Sequence, residues 1–127
     1  MSSVPESFSY TKEHEWVEKL SDTRFRVGIT DYAQSALGDI VYIQLPKLSA
    51  LLVANSVCGE VESTKSVSEI YAPISGKVVA VNDKLESEPG VINSDPYGQG
   101  WIVEIEITGD KLSENLLSAQ DYQKLTA

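Results

Sequence analysis

The chain has 127 residues and a formal net charge of −9, from 19 acidic and 10 basic residues; 42% of residues are hydrophobic and 23% are charged. That is the size and balance of a single domain with a core large enough to stand without metals or disulfides. The acidic excess excludes a phosphate backbone as a natural partner, and the single cysteine, Cys58, excludes an internal disulfide. No apolar run reaches the roughly 20 residues of a membrane-spanning helix.

Taken in chain order, residues 1–9 read as an N-terminal extension, 10–112 as a β core and 113–127 as a C-terminal helical segment. The opening MSSVPESFSY has neither the features of a signal peptide nor the arginines of a transit peptide. This points to a bacterial cytoplasm, or to a mitochondrial matrix if a presequence has been removed. EWVEKL (Glu15 to Leu20) and RFRVGIT (Arg24 to Thr30) alternate polar and apolar residues around SDT, the pattern of a β-hairpin with a polar turn. Asp31 stands where it can cap a short helix, DYAQSAL, which Gly38 ends. DIVYIQL (Asp39 to Leu45) alternates again and stops at Pro46.

VCGEVES and VSEIYA then flank Lys65, and GKVVAVN (Gly76 to Asn82) is a further alternating strand. VCGEVES and SGKVVAVN share a small residue leading into valines, a weak trace of internal duplication. DKLESEPGVINSDPYGQG is rich in turn residues and reads as a long ordered loop. WIVEIEI (Trp101 to Ile107) closes the strand series, so Trp16 and Trp101 are both expected in the core. Ser113 is placed to cap ENLL, and Ser118 or Asp121 to start a terminal helix. Short strands with Gly/Pro turns and helices only at the edges imply a mainly β sandwich or small barrel.

Catalysis needs convergent groups, and few are found. His14 is the only histidine, and a lone histidine near a strand start is more often structural. Cys58 could pair with it, but Cys58 occupies an apolar position before Gly59 and reads as a buried inert thiol. Gly98 and Gly100 lie in a turn and not between a strand and a helix, so they make no phosphate loop. No spacing singles out a carboxylate pair. The expectation is a protein that is not itself an enzyme. Lys65 is different: Ser63-Thr64-Lys65-Ser66 reads as a hairpin tip, where a side chain reaches into another protein's active site. Exposed loop lysines are common, but such a lysine also suits covalent modification to a long flexible tether.

TKEHEW (Thr11 to Trp16), VGITDYAQSALGDIVYIQLP (Val27 to Pro46), VESTKSVSEIYAPISGKVVAVN (Val61 to Asn82) and NSDPYGQGWIVEI (Asn93 to Ile105) together resemble the H-protein family of the glycine cleavage system. The resemblance runs from about Tyr10 to Leu125. It implies the barrel-sandwich hybrid of lipoyl and biotinyl domains, with short peripheral helices and a C-terminal helix. It implies lipoic acid as cofactor, in amide linkage to Lys65, with Glu62, Ser63 and Gly76 read by the lipoate-attaching enzyme. It places Glu15 and Glu69 as acidic residues near the loaded arm. The implied partners are pyridoxal-phosphate-dependent glycine decarboxylase, which loads methylamine, tetrahydrofolate-dependent aminomethyltransferase, which unloads it, and dihydrolipoamide dehydrogenase, which reoxidises the arm. A monomer is the expected state, without nucleic acid or membrane.

Other readings are a donor of lipoyl groups to other carriers, or an interaction module in which Lys65 stays unmodified. A biotin carrier is disfavoured because Met1 is the only methionine, so none flanks Lys65. The sequence departs from the family pattern after Pro46. Ser49 and Asn55 stand where glycines are usual, and Leu51, Leu52 and Val53 add apolar surface. Asn tolerates a left-handed backbone fairly well and Ser poorly.

Overall fold

The computed structural model describes residues 4–107 and 116–126. In order, its elements are β1 (Ser9–Tyr10), β2 (Glu15–Lys19), β3 (Arg24–Ile29), α1 (Asp31–Leu37), β4 (Ile40–Gln44), β5 (Leu51–Leu52), β6 (Val57–Ser63) and β7 (Val67–Tyr71). They continue with β8 (Gly76–Val81), α2 (Lys84–Ser87), α3 (Val91–Ser94), β9 (Val103–Ile107) and α4 (Ala119–Thr126). One sheet has six strands in the order β1-β2-β3-β9-β8-β5; the other has three, β4-β6-β7. All the pairings are antiparallel. The two segments with a shared look, β6 and β8, lie in different sheets.

The alternation that marks the strands also builds the core. Val17, Phe25, Val27, Ile29, Val78, Val103 and Ile105 of the larger sheet cluster with Ile40, Ile43, Val61 and Ile70 of the smaller one. This two-layer packing is the barrel-sandwich architecture expected of the lipoyl type. Tyr10, Trp16, Ala119 and Tyr122 form a second cluster under α4. Tyr10 and Tyr122 stack at 4.8 Å, and Phe8 stacks on Trp16 at 5.0 Å. Gly28 makes room for the indole: a Cβ there would sit 2.6 Å from the Trp16 ring.

Three expectations need adjusting. Thr30, and not Asp31, caps α1: its side chain accepts from Ala33 N at 3.2 Å, and Asp31 is the first helical residue. Both residue types are good caps, so the sequence alone leaves a one-residue ambiguity. The loop after β8 contains two single-turn helices, α2 and α3, which bury Leu85 and Ile92. The last strand begins at Val103, leaving Trp101 outside it and only partly buried, with the Arg26 guanidinium 4.8 Å over its ring. Trp101 packs against the edge of the second cluster with Arg26 over its ring, while Trp16 is fully buried. Of the two residues expected to start the terminal helix, Ser118 does so, its Oγ accepting from Asp121 N at 3.2 Å. Ser113 lies outside the described residues.

Candidate functional site

The β6–β7 hairpin ends its ladder at Glu62 opposite Val67, and four residues, Ser63 to Ser66, make the turn. Ser63 organises it. Its N–H donates to Ser66 O at 2.8 Å, and its hydroxyl oxygen accepts from Lys65 N at 3.2 Å and Ser66 N at 3.1 Å. A serine hydroxyl replacing a main-chain acceptor is the usual means of fixing so tight a turn. Thr64, Lys65 and Ser66 are exposed. Thr64 N donates to Asp39 O at 3.0 Å and ties the tip to the corner between α1 and β4. The Lys65 stem lies across Gly38: a Cβ there would be 3.4 Å from Lys65 Cε and 3.8 Å from Nζ. Among the described residues, Lys65 makes no ion pair.

Cross-strand pairs share a face, so Glu62, opposite both Tyr42 and Val67, and Glu60, opposite Glu69, lie together on one side of the small sheet. Val67 and Glu69 are exposed there. The directly opposed Glu60 and Glu69 carry like charges, an arrangement that costs stability. The structure brings Glu15 and Glu69 to one tyrosine. Glu69 Oε1 accepts from the Tyr71 hydroxyl at 3.4 Å, and Glu15 Oε2 accepts from Tyr71 N at 3.0 Å. Glu15 Oε1 also accepts from the Thr11 hydroxyl at 2.8 Å. Only 2% of Glu15 is exposed, and burial pushes its carboxyl up to about 7 against the lowering effect of these two hydrogen bonds. Glu15 thus sits fixed behind the surface and Glu69 in front of it.

Gly76 stands at the opposite end of β7 from Lys65, at the start of β8. It is buried, and a Cβ there would run into Glu106 O and meet Ile105 Cγ2 at 2.7 Å. Close strand approach is the physical reason for glycine at that position. Ser49 and Asn55 have φ of 68° and 72°, so both turns take the left-handed conformation that glycine adopts most readily. Between them, Leu52 packs against the core while Leu51 and Val53 are 75% and 66% exposed.

His14 does not meet Cys58. Its Nδ1 is 2.8 Å from the Tyr122 hydroxyl, which is 2.7 Å from Thr30 Oγ1, and its ring lies 4.8 Å from Tyr32. Cys58 is pushed up to about 12, by burial first and then by the charge of Glu15. A thiol so reluctant to ionise is not a nucleophile, and among the described residues no group of three His, Cys, Asp or Glu could hold a metal. Two residues at the site were not singled out from the sequence. Tyr71 joins the two carboxylates, and Asn93 supports the corner beneath Lys65. Asn93 sits in a turn-rich run where one more asparagine carries no signal of its own.

A family description of the glycine cleavage H-protein matches residues 8–127. A glycine cleavage system H protein of Mycolicibacterium gilvum (strain PYR-GCK) is 56% identical over 123 residues, covering 97% of this chain and 94% of its own length. One from Mycobacteroides abscessus is 51% identical over 130 residues, covering 99% of each. The crystal structure of a glycine cleavage system H protein from Mycobacterium marinum superimposes with a TM-score of 0.90 at 42% identity, covering 97% of this chain and 98% of that one. With the sheet architecture and the lysine hairpin already in agreement, these matches over nearly the whole length show that the chain belongs to the glycine cleavage H-protein family.

Proposed function

We propose that the chain is the lipoyl-carrying shuttle of glycine cleavage, with Lys65 as the attachment residue. The observation that carries this is the Lys65 hairpin: an exposed amine on a turn fixed by Ser63, flanked by Thr64 and Ser66 and free of ion pairs among the described residues. Such an amine fits amide formation because nothing bulky screens it and no charge partner has to be stripped from it. Lys65 would hold the lipoyl group in amide linkage, and that group would supply a disulfide able to carry a one-carbon amine between glycine decarboxylase, the aminomethyltransferase and dihydrolipoamide dehydrogenase. The chain's contribution is presentation. A rigid turn carrying a flexible tether raises the effective concentration at each partner's active site.

The acidic face next to Lys65 supports an amine as cargo. Glu60, Glu62 and Glu69 line it, and a cationic amine seated there relieves the repulsion of the opposed Glu60 and Glu69. Glu69 is exposed and makes the contact; Glu15, held by Thr11 and Tyr71, fixes Tyr71 behind it. Glu62 and Ser63, adjoining the tip, are the residues the lipoate-attaching enzyme meets first, whereas Gly76 acts through strand spacing. No helix among the described residues is long and apolar enough to cross a membrane, and the relatives are bacterial, which supports a bacterial source. The relatives' shared name, over nearly the full chain, favours the carrier over an unmodified interaction module.

Intact mass after incubation with a lipoate-attaching enzyme, lipoate and ATP tests this. Wild type gains one lipoyl adduct and Lys65→Arg gains none. An adduct on both, or on neither, overturns the assignment. The Glu15→Gln/Glu69→Gln variant takes the adduct but loses its amine cargo sooner; an unchanged cargo lifetime removes those two carboxylates from the role.

A further inference from the structure

Asn93 uses both ends of its amide on one short segment of backbone, and a third bond on the Gln34 side chain. Its Oδ1 accepts from Ile40 N at 2.8 Å, and its Nδ2 donates to Gly38 O at 2.9 Å and to Gln34 Oε1 at 2.9 Å. The segment it grips, Gly38-Asp39-Ile40, is where α1 ends and β4 begins. Gly38 closes α1 by donating to Gln34 O at 3.0 Å, with φ of 85° and ψ of −158°, a backbone state essentially reserved for glycine. Asp39 has an exposed side chain, and its carbonyl accepts the Thr64 N–H at 3.0 Å. The Lys65 stem crosses the same glycine. Thus Asn93, on α3 in the loop far along the chain, holds from beneath the ledge on which the lysine turn rests.

Among the described residues, the Ser63 hydroxyl bonds only to residues of the turn itself. Those bonds fix the shape of the tip but not its position relative to the body of the protein. That position comes from the β6–β7 ladder, from the β4–β6 pairing that sets Ser63 opposite Ile40, whose N–H Asn93 holds, and, at the tip, from the Thr64–Asp39 bond.

We infer that Asn93 is a positioning residue for modification of Lys65, acting through the Gly38–Asp39 corner and the Thr64 amide to hold the lysine turn in the pose an attaching enzyme receives. This rests on the carrier reading. An attaching enzyme accepting a pre-set lysine avoids the cost of ordering it. A tip cut loose from the corner leaves the amine exposed and chemically unchanged but presented in many poses, so the penalty falls on encounter and productive geometry.

Three variants and two readouts test it: the steady-state rate of lipoyl attachment to the apo-protein, followed by intact mass, and hydrogen exchange at the Thr64 amide. Asn93→Ala removes all three bonds. Thr64→Pro deletes the N–H that reaches Asp39 at a turn position where proline is well tolerated. Gln34→Ala removes one bond to Asn93 and leaves the other two. Asn93→Ala and Thr64→Pro each lower kcat/KM for attachment roughly ten- to a hundredfold, mainly through KM, and Gln34→Ala lowers it least. Thr64 exchange quickens in Asn93→Ala. Because both strong variants break the same linkage, the double variant is no slower than the slower single one.

Multiplicative losses in the double variant overturn the linkage, as does a normal attachment rate in Asn93→Ala with a deprotected Thr64 amide. Should Asn93→Ala not fold, a normal rate in Thr64→Pro overturns it alone. If wild type takes no lipoyl group, the carrier reading has failed and this inference with it. A modified wild type with indifferent variants overturns this inference only.

Discussion

The Lys65 hairpin is placed by main-chain bonds and shaped by one serine hydroxyl, and three consecutive residues are exposed. Around Trp16 and Tyr122 the chain is held by stacked rings, of which Tyr10, Trp16 and Tyr122 are fully buried. The first region spends almost no apolar burial; the second concentrates it. The contrast shows how a small protein can offer a reactive side chain freely. Stability is drawn mainly from residues away from the hairpin tip, so, on the carrier proposal, Lys65 can be modified without unsettling the fold.

Breaking the aromatic side gives the largest effect. Trp16→Ala removes a fully buried indole that stacks on Phe8 and donates to Pro96 O at 2.9 Å, and it should cost about 3–5 kcal/mol in denaturant unfolding. Trp101→Ala, at a partly buried position, should cost less; an equal loss would erase the distinction between the two tryptophans.

Next in size is the buried Glu15, which lies between the two regions. Its folded-state pKa, about 7, is above its ordinary value of 4.5. Its contribution to stability is therefore fully present below pH 4.5 and is lost as pH rises through about 7. The difference across that window is about 3 kcal/mol, and Glu15→Gln should abolish this part of the pH dependence in unfolding measured from pH 4 to about 9. A variant with the wild-type slope would mean that Glu15 stays ionised in place.

Smaller still is Ser49→Gly, which relieves a left-handed serine and should stabilise by about 0.5–1 kcal/mol once glycine's looser unfolded chain is counted. At the hairpin, Lys65→Arg should change stability by less than about 0.5 kcal/mol. A larger loss would show that the tip shares in the stability assigned here to the far side.

Legibility in the sequence follows the same division. Strands that alternate, such as β2, β3, β6 and β8, are readable because one face must be buried, and β6 is found residue for residue as VCGEVES. The lysine tip is readable because small polar residues interrupt two such runs. The left-handed turns at Ser49 and Asn55 were signalled by departures from a glycine pattern. The bridging residues were not readable. Asn93 and Tyr71 act through partners 53 to 59 and 56 residues away in the chain, and no local pattern encodes such a meeting. Trp101 was misplaced because WIVEIEI alternates through its first residue, while the ladder begins two residues later. β5 is two residues long, too short for any periodicity.

That brevity has a consequence for self-association. β5 is the outer strand of the six-stranded sheet and carries Leu51, 75% exposed, which on a longer strand would be an inviting template for a neighbouring molecule. The left-handed residues at 49 and 55 bracket it and turn the backbone out of line on both sides, so an approaching chain finds only a very short edge to pair with. The irregular segment that departs most from the family pattern thereby acts as a guard on an edge that would otherwise be sticky.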